Sequence, residues 1–227
     1  MGNTLIALAL LIAQVGPTYP FPQAVLVAAK QNYAGKQVRT YSNQADELEL
    51  IHTDQVSATI TAVDSATGRS TWLWRNRSES QRLDGQLLPS DPKDPPFEFT
   101  EVRSKIGAQY TFETGLDEGN GQMLVSRFNT FPLPSKPVGI GDTWEFKDTR
   151  FMPYIFRGKV LGFENGMYKV STHFQGLESP KFTANGTAWV GLTGVPAKIE
   201  LATSPIEIPG SEGQKATLSL SFSLSRK

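Results

Sequence analysis

Two histidines, His52 and His173, are the first residues to weigh for chemistry. Imidazole is the commonest metal ligand and a ready general base. A metal site needs three or four converging ligands. Asp46, Glu47, Glu49 and Asp54 surround His52 in sequence, whereas His173 stands between Thr172 and Phe174. The two fall in different runs with polar neighbours, so ligand count favours ordinary strand residues over a metal centre. The chain has no cysteine. That excludes thiolate metal sites, cysteine nucleophiles, disulfides and an acylated lipobox cysteine. No Gly-x-Ser-x-Gly elbow, His-Glu-x-x-His helix or Walker-type loop occurs. Asp91, Asp94 and Glu98 form the densest acidic cluster in an aromatic setting. Flanked by Pro92, Pro95 and Pro96, they read as solvated loop charges. A carboxylate-pair hydrolase carries no local motif and stays open as a minor alternative. The expectation is a protein with no catalytic residues, metal or cofactor.

Trp72 and Trp74 are the candidate ligand-binding residues. Alternation puts both on one strand face, where they line an apolar cavity, stack on a sugar or fill the sheet core. The elements that would position them are β-strands. From residue 36 onward the hydrophobic period is two. Candidate strands cover residues 36–42, 46–52, 55–63 and 69–75, with a turn at 64–68. Residues 76–96 are less regular, and four prolines within 88–96 mark a loop. Alternation resumes at 97–99 and 110–112, with a hairpin loop at 116–121 and a returning strand over 121–130. Asn165-Gly166 between alternating runs at 155–163 and 167–174 is a type I′ hairpin signal, since both central residues need positive φ. A further hairpin spans 182–190 and 195–203, residues 205–213 are a loop, and a strand over 215–225 closes the chain. In that last strand Leu218, Leu220, Phe222 and Leu224 alternate with Ser219, Ser221, Ser223 and Ser225, which fixes its register.

Pro132, Pro134 and Pro137, followed by Gly139 and Gly141, make an extended, ladder-breaking connector over residues 132–141. It divides the alternating pattern into two halves. At the other end, residues 1–29 carry no charged side chain, and Leu5 to Ala13 is an apolar run of nine. That length suits a signal-peptide core and is too short for a bilayer, which needs ~20 residues. Residues 1–20 therefore read as a signal peptide, with a buried helix, or a start assigned too far downstream, as the competing readings. Residues 23–32 suit one short helix after Pro22, with a strand as runner-up.

Net charge is zero, from 22 basic and 22 acidic side chains, with no basic stripe of the kind nucleic-acid binders carry. The hydrophobic fraction of 39% suits a packed core rather than a disordered chain.

Three segments carry a family resemblance: residues 133–145, LPSKPVGIGDTWE; residues 186–198, GTAWVGLTGVPAK; and the closing alternating strand. They are similar to segments of bacterial envelope domains built on a half-barrel sheet, the lipoprotein-carrier-like group and related exported proteins. The resemblance covers about the last hundred residues well and residues 36–130 by strand pattern only. It implies a mainly β fold: a single large curved antiparallel sheet, half-barrel or open barrel, spanning residues 21–227, with one short N-terminal helix. By analogy with that group it implies an apolar, acyl-chain-like ligand on the concave sheet face. The alternative is a structural or protein-interaction module of the cell envelope. The expected location is exported, periplasmic or extracellular, without lipid anchor or transmembrane span. The expected partners are a lipid-like ligand or an envelope protein, not nucleic acid.

Overall fold

The computed structural model describes residues 20–24, 26, 30–43, 48–89, 95–114, 128, 130–150, 153–179, 181–209 and 215–227. The proposed signal peptide up to residue 19 and the returning strand at 121–127 lie outside these. The described chain forms thirteen strands: β1 (Asn32–Asn43), β2 (Leu48–Asp64), β3 (Arg69–Leu83), β4 (Gln86–Leu87), β5 (Phe97–Arg103), β6 (Gln109–Thr114), β7 (Thr143–Asp148), β8 (Tyr154–Glu164), β9 (Met167–Gly176), β10 (Thr183–Gly191), β11 (Pro196–Thr203), β12 (Ile206–Pro209) and β13 (Lys215–Arg226). All pair antiparallel in one sheet, in the order β6-β5-β3-β2-β1-β13-β11-β10-β9-β8-β7, with β4 on β3 and β12 on β13. The sheet is not closed: β6 and β7 are its ends. The expected single large antiparallel sheet is therefore present. The expected N-terminal helix is not: among the described residues there is none. Lys30 has φ 71°, its amide donates to the Ile60 carbonyl, and the chain enters β1 two residues later. Residues 25 and 27–29 lie outside the described set.

The two halves meet where the first strand pairs with the last. β1 and β13 run in register from Tyr33↔Arg226 to Asn43↔Ala216. On β13, Leu218, Leu220, Phe222 and Leu224 are buried, and the serines take the other face. That face choice follows from the two-residue period, because burying the serines would strip hydroxyls of water.

Several strands exceed their expected bounds. β2 runs unbroken through residues 53–54, where the sequence pattern was divided, because no glycine or proline interrupts 48–64. The irregularity there lies on the partner: Thr53 faces Ser80 and Asp54 faces Ser78, leaving Glu79 as the extra residue of a bulge. β3 continues to Leu83 and turns at Asp84-Gly85, both with positive φ (48° and 78°). This is the Asp-Gly hairpin turn, an available signal that the irregular reading of 76–96 passed over. Ile206 and Ile208 form a short strand where a loop was expected. The Asn165-Gly166 turn is as expected, at φ 53° and 75°.

Gly166→Ala is expected to cost about 1–2 kcal/mol, since a β-carbon disfavours left-handed backbone even with open space around it. Gly162→Ala, four residues earlier with equally open surroundings and no positive φ, is the control and should stay within about 0.5 kcal/mol. Urea midpoints of the two variants check this.

A single hydrophobic cluster lines one face of the whole sheet, from Trp72, Trp74 and Phe99 in the first half to Tyr154, Phe156 and Phe174 in the second. Phe128 and residues 130–134, between β6 and β7, pack on that face. Thr130, Phe131, Pro132, Leu133 and Pro134 are all buried. The Leu133 amide donates to the Ile106 carbonyl, while Trp144 Nε1 donates to the Pro132 carbonyl at 3.0 Å. The connector thus bonds to both halves at once. Phe131 sits edge-on to Phe156, and Phe128 edge-on to Phe174 and Phe182. Phe21 adds a ring against Trp144 and Tyr168.

Candidate functional site

Trp72 and Trp74 lie on the core face of β3, 3% and 0% exposed. Their rings stack on each other at 6.1 Å, and Trp74 stacks on Phe99. Both indoles hold buried polar partners. Trp74 Nε1 donates to Glu101 Oε2 at 2.9 Å, and Trp72 Nε1 to Ser70 Oγ at 2.9 Å. Arg103 donates to the same Glu101 oxygen at 3.1 Å and lies over the Trp72 ring at 4.2 Å. The Glu101 side chain is 0% exposed and that of Arg103 7%. Two tryptophans, a carboxylate and a guanidinium thus form one desolvated knot on β3 and β5. Strand pairing places it: Trp72 faces Glu101, and Ser70 faces Arg103. The crevice beside the knot, lined by Ser70, Trp72, Arg103, Ser104 and Phe131, measures about 10 Å³. That is room for one water, well short of the ~300 Å³ typical of a small-molecule pocket.

The seam motif also resolves into structural roles. Asp142 Oδ2 accepts the Gly139 amide at 2.8 Å, and Gly141 takes φ 94°. Trp144 packs on Gly158 directly across the strand pair, where a β-carbon would come 2.4 Å from the indole. These contacts fix the entry to β7.

Among the described residues neither histidine belongs to a group of metal ligands. His52 sets its ring edge-on to Tyr41. Burial pushes its pKa below the usual imidazole range; Arg39 adds to the shift and Asp54 opposes it. His173 Nδ1 lies 2.8 Å from Asn185 Oδ1 on the opposite face of the sheet. Among the described residues no three histidine, aspartate or glutamate side chains converge. Asp46, Glu47, Asp91 and Asp94 lie outside the described set.

Polar groups do collect at the other end of the core face of β1–β3. Gln37 is 0% exposed and Asn76 6%, and neither amide of these side chains has a hydrogen-bond partner. Gln37 faces Asp54 across the β1–β2 pair, and Asp54 holds Arg39 at 2.9 Å. Tyr33, also on this face, has an unpartnered hydroxyl. Burial raises its pKa from 10.0 to about 12, against the pull of Arg226 and Arg103. In the folded state the neutral phenol is favoured, so its contribution to stability is complete below pH 10 and is lost as pH rises toward 12. The expected loss is about 2–3 kcal/mol across that window. Tyr33→Phe should flatten this alkaline limb in urea titrations, whereas an unchanged limb would mean the phenol is hydrated.

The opposite face of the sheet carries mostly polar side chains, with Val38, Leu73, Ile155 and Trp189 among them. Among the described residues, two open depressions that indent it can be named. One, of about 550 Å³, is lined by Lys36, Gln55, Ser57, Arg75, Arg77 and Glu79, among others. The second, of about 490 Å³, adjoins it at Lys36 and is lined by Asn185, Thr187, Glu200, Ser221 and Ser223. No sequence pattern pointed to either. The first is lined mainly by the consecutive strands β1, β2 and β3, and the second joins β1 to β10, β11 and β13 through the β1–β13 pairing.

No protein-family model matches this chain. No curated protein matches its sequence either. The functional reading therefore rests on geometry. No helix among the described residues is long and apolar enough to cross a membrane.

Proposed function

We propose that this chain is an exported, non-catalytic interaction module of the cell envelope that meets its partner through the polar face of its sheet. The observation that carries this reading is the filled core face. The rings of Phe21, Phe128 and Phe131 and the side chain of Leu133 occupy the space where a half-barrel carrier would hold a ligand. Trp72 and Trp74 are engaged with each other and with Glu101 and Arg103. Among the described residues, depressions of about 550 and 490 Å³ lie on the opposite side. The envelope location rests on the apolar run from Leu5 to Ala13 and on the resemblance of residues 133–145 and 186–198 to exported half-barrel domains.

One observation favours a second reading, an apolar ligand with a polar end on the core face. The side-chain amides of Gln37 and Asn76 are buried and unpartnered, and buried polar groups are ordinarily bonded. A carrier of this kind would have to displace the connector that bears Phe131 and Leu133 and would use Trp72 and Trp74 as the pocket wall.

Native mass spectrometry of gently purified protein, followed by titration with a fluorescent fatty acid, separates the two. An apo mass with no uptake of the probe is the expected result. A co-purified acyl-sized mass would overturn the polar-face reading in favour of the carrier.

A further inference from the structure

We propose that one end of the sheet, the hairpin rim of β7–β11, docks on the surface of a phospholipid bilayer. The residues of this rim line neither depression, so the polar face stays open to its own partner.

Strand direction gathers the rim. β7 begins, β8 ends, β9 begins, β10 ends and β11 begins at the same end of the sheet. Four aliphatic side chains there face solvent: Leu26, Ile140, Leu161 and Leu192, 68%, 64%, 46% and 47% exposed. Backbone bonds tie their segments together. The Leu26 amide donates to the carbonyl of Thr193, next to Leu192, and the Gly141 amide donates to the carbonyl of Val160, next to Leu161.

Behind these tips, register lays down a second layer. Gly162 faces Lys169, Lys169 faces Trp189 and Trp189 faces Lys198. Trp189 is half-buried, and Lys198 Nζ lies 4.7 Å from its ring centroid. Lys198 also pairs with Glu200, whereas both residues that face Lys169 are uncharged.

This layering selects the occupant. Leu192 is three residues beyond Trp189, at most ~10 Å away along the chain. Interfacial elements bury their apolar part by about 5–10 Å, to the boundary of headgroups and acyl chains. Aliphatic tips at that depth leave the indole and the ammonium groups at the level of the phosphates, where tryptophan and lysine are favoured. Ile140 stands between Gly139 and Gly141, Leu192 follows Gly191 and Leu161 precedes Gly162. Bare backbone beside each tip gives a protein partner little complementary surface, whereas fluid acyl chains close around it. Charge is nearly balanced, with Lys136, Lys159, Lys169 and Lys198 against Asp142, Glu164 and Glu200. The polar target is therefore the phosphate that all phospholipids share.

The chain also enters the fold at this end. Phe21 packs on Trp144 and on Tyr168, two residues past the Gly166 turn. The apolar run Leu5 to Ala13 ends eight residues before Phe21, a reach of ~28 Å at most. Read as an export segment, that run keeps this rim within a short tether of the membrane.

Quenching by lipid-borne bromine tests the proposal on the full chain. The vesicles are equimolar phosphatidylcholine and phosphatidylglycerol with brominated acyl chains. Of the four tryptophans, Trp72, Trp74 and Trp144 are buried in the core, so Trp189 is the one a bilayer surface can reach. The expected result is co-sedimentation with quenching, and no quenching in Trp189→Phe. Ile140→Ser combined with Leu192→Ser should raise the lipid concentration for half-maximal quenching by about tenfold or more. Both positions are exposed at turns, so melting curves should match the parent protein. Absence of co-sedimentation, or co-sedimentation without quenching, which would place the contact at the run Leu5 to Ala13, would overturn the proposal. So would a double variant quenched like the parent. Self-association of the free protein that the double variant abolishes would make the rim a contact between copies instead. The polar-face reading is decided separately, by native mass spectrometry.

Discussion

Gly35→Ala is expected to be the most damaging single-atom-scale change in this protein. A β-carbon at Gly35 would lie 1.8 Å from the Ser223 carbonyl oxygen and 2.8 Å from the Leu224 α-carbon. Both are backbone atoms of β13, so no rotamer change relieves the clash. β1 and β13 are the strands through which the two halves join, in an unbroken register of facing residues. Separating them by even a fraction of an ångström strains those hydrogen bonds and opens the cluster beneath, where Leu224 and Val56 flank Gly35. Overpacking in cores costs 1–3 kcal/mol and occasionally more; a clash with backbone belongs at the upper end, about 3 kcal/mol or above. Urea denaturation gives the number directly. A loss below about 1 kcal/mol would mean the two halves are joined more loosely than the register implies.

Arg103→Met should cost about 3–5 kcal/mol, through the group it leaves behind rather than the contact it removes. Glu101 is fully buried, and its Oε2 takes its two hydrogen bonds from Arg103 and Trp74. Without the guanidinium, a carboxylate remains among indole rings with a single neutral donor. Desolvation then has no compensating charge. The informative experiment is the double variant. Glu101→Leu added to Arg103→Met removes both charges, and replacing a buried pair by apolar groups is often neutral or stabilising. Most of the lost stability should return, leaving Trp74 Nε1 unpaired as the residual cost of about 1–3 kcal/mol. A double variant as unstable as Arg103→Met alone would show that the arginine acts by packing over Trp72 instead. An Arg103→Met loss below 1 kcal/mol would sink the account of the knot altogether.

The alternation of apolar and polar residues was readable, and it carried most of the fold. The closing strand shows why: once Leu218 is inside, the pleat assigns Ser219 outward and Leu220 inward with no further information. Asn165-Gly166 was readable for the same local reason, since few residue pairs tolerate two successive positive φ values. Asp84-Gly85 carried an equal signal, masked by the irregular spacing around the Glu79 bulge. Of the helix expected after Pro22, residues 25 and 27–29 lie outside the described set, and the described ones are held by tertiary bonds. The Leu26 amide donates to the Thr193 carbonyl, and Lys30 is bonded to Ile60.

The candidate sites divide along the same line. Trp72 and Trp74 were legible as a same-face pair, but their partners were not, because Glu101 and Arg103 reach them only through the β3–β5 register. Nothing in the sequence around Lys36, Ser223 or Thr187 marks them as neighbours.

By itself the sequence determined the strand-forming period, the face each residue takes, the main turns and the absence of cysteine chemistry. These are properties of a few consecutive residues, set by the pleat and by allowed φ. The tertiary structure alone decided that the first strand pairs with the last, and that residues 130–134 are buried in the core and bond to both halves. It alone set Lys169, Trp189 and Lys198 in one line across the sheet. Ladder hydrogen bonds are made by backbone groups common to nearly every residue, so strand order is chosen by how whole faces pack, which no local stretch encodes.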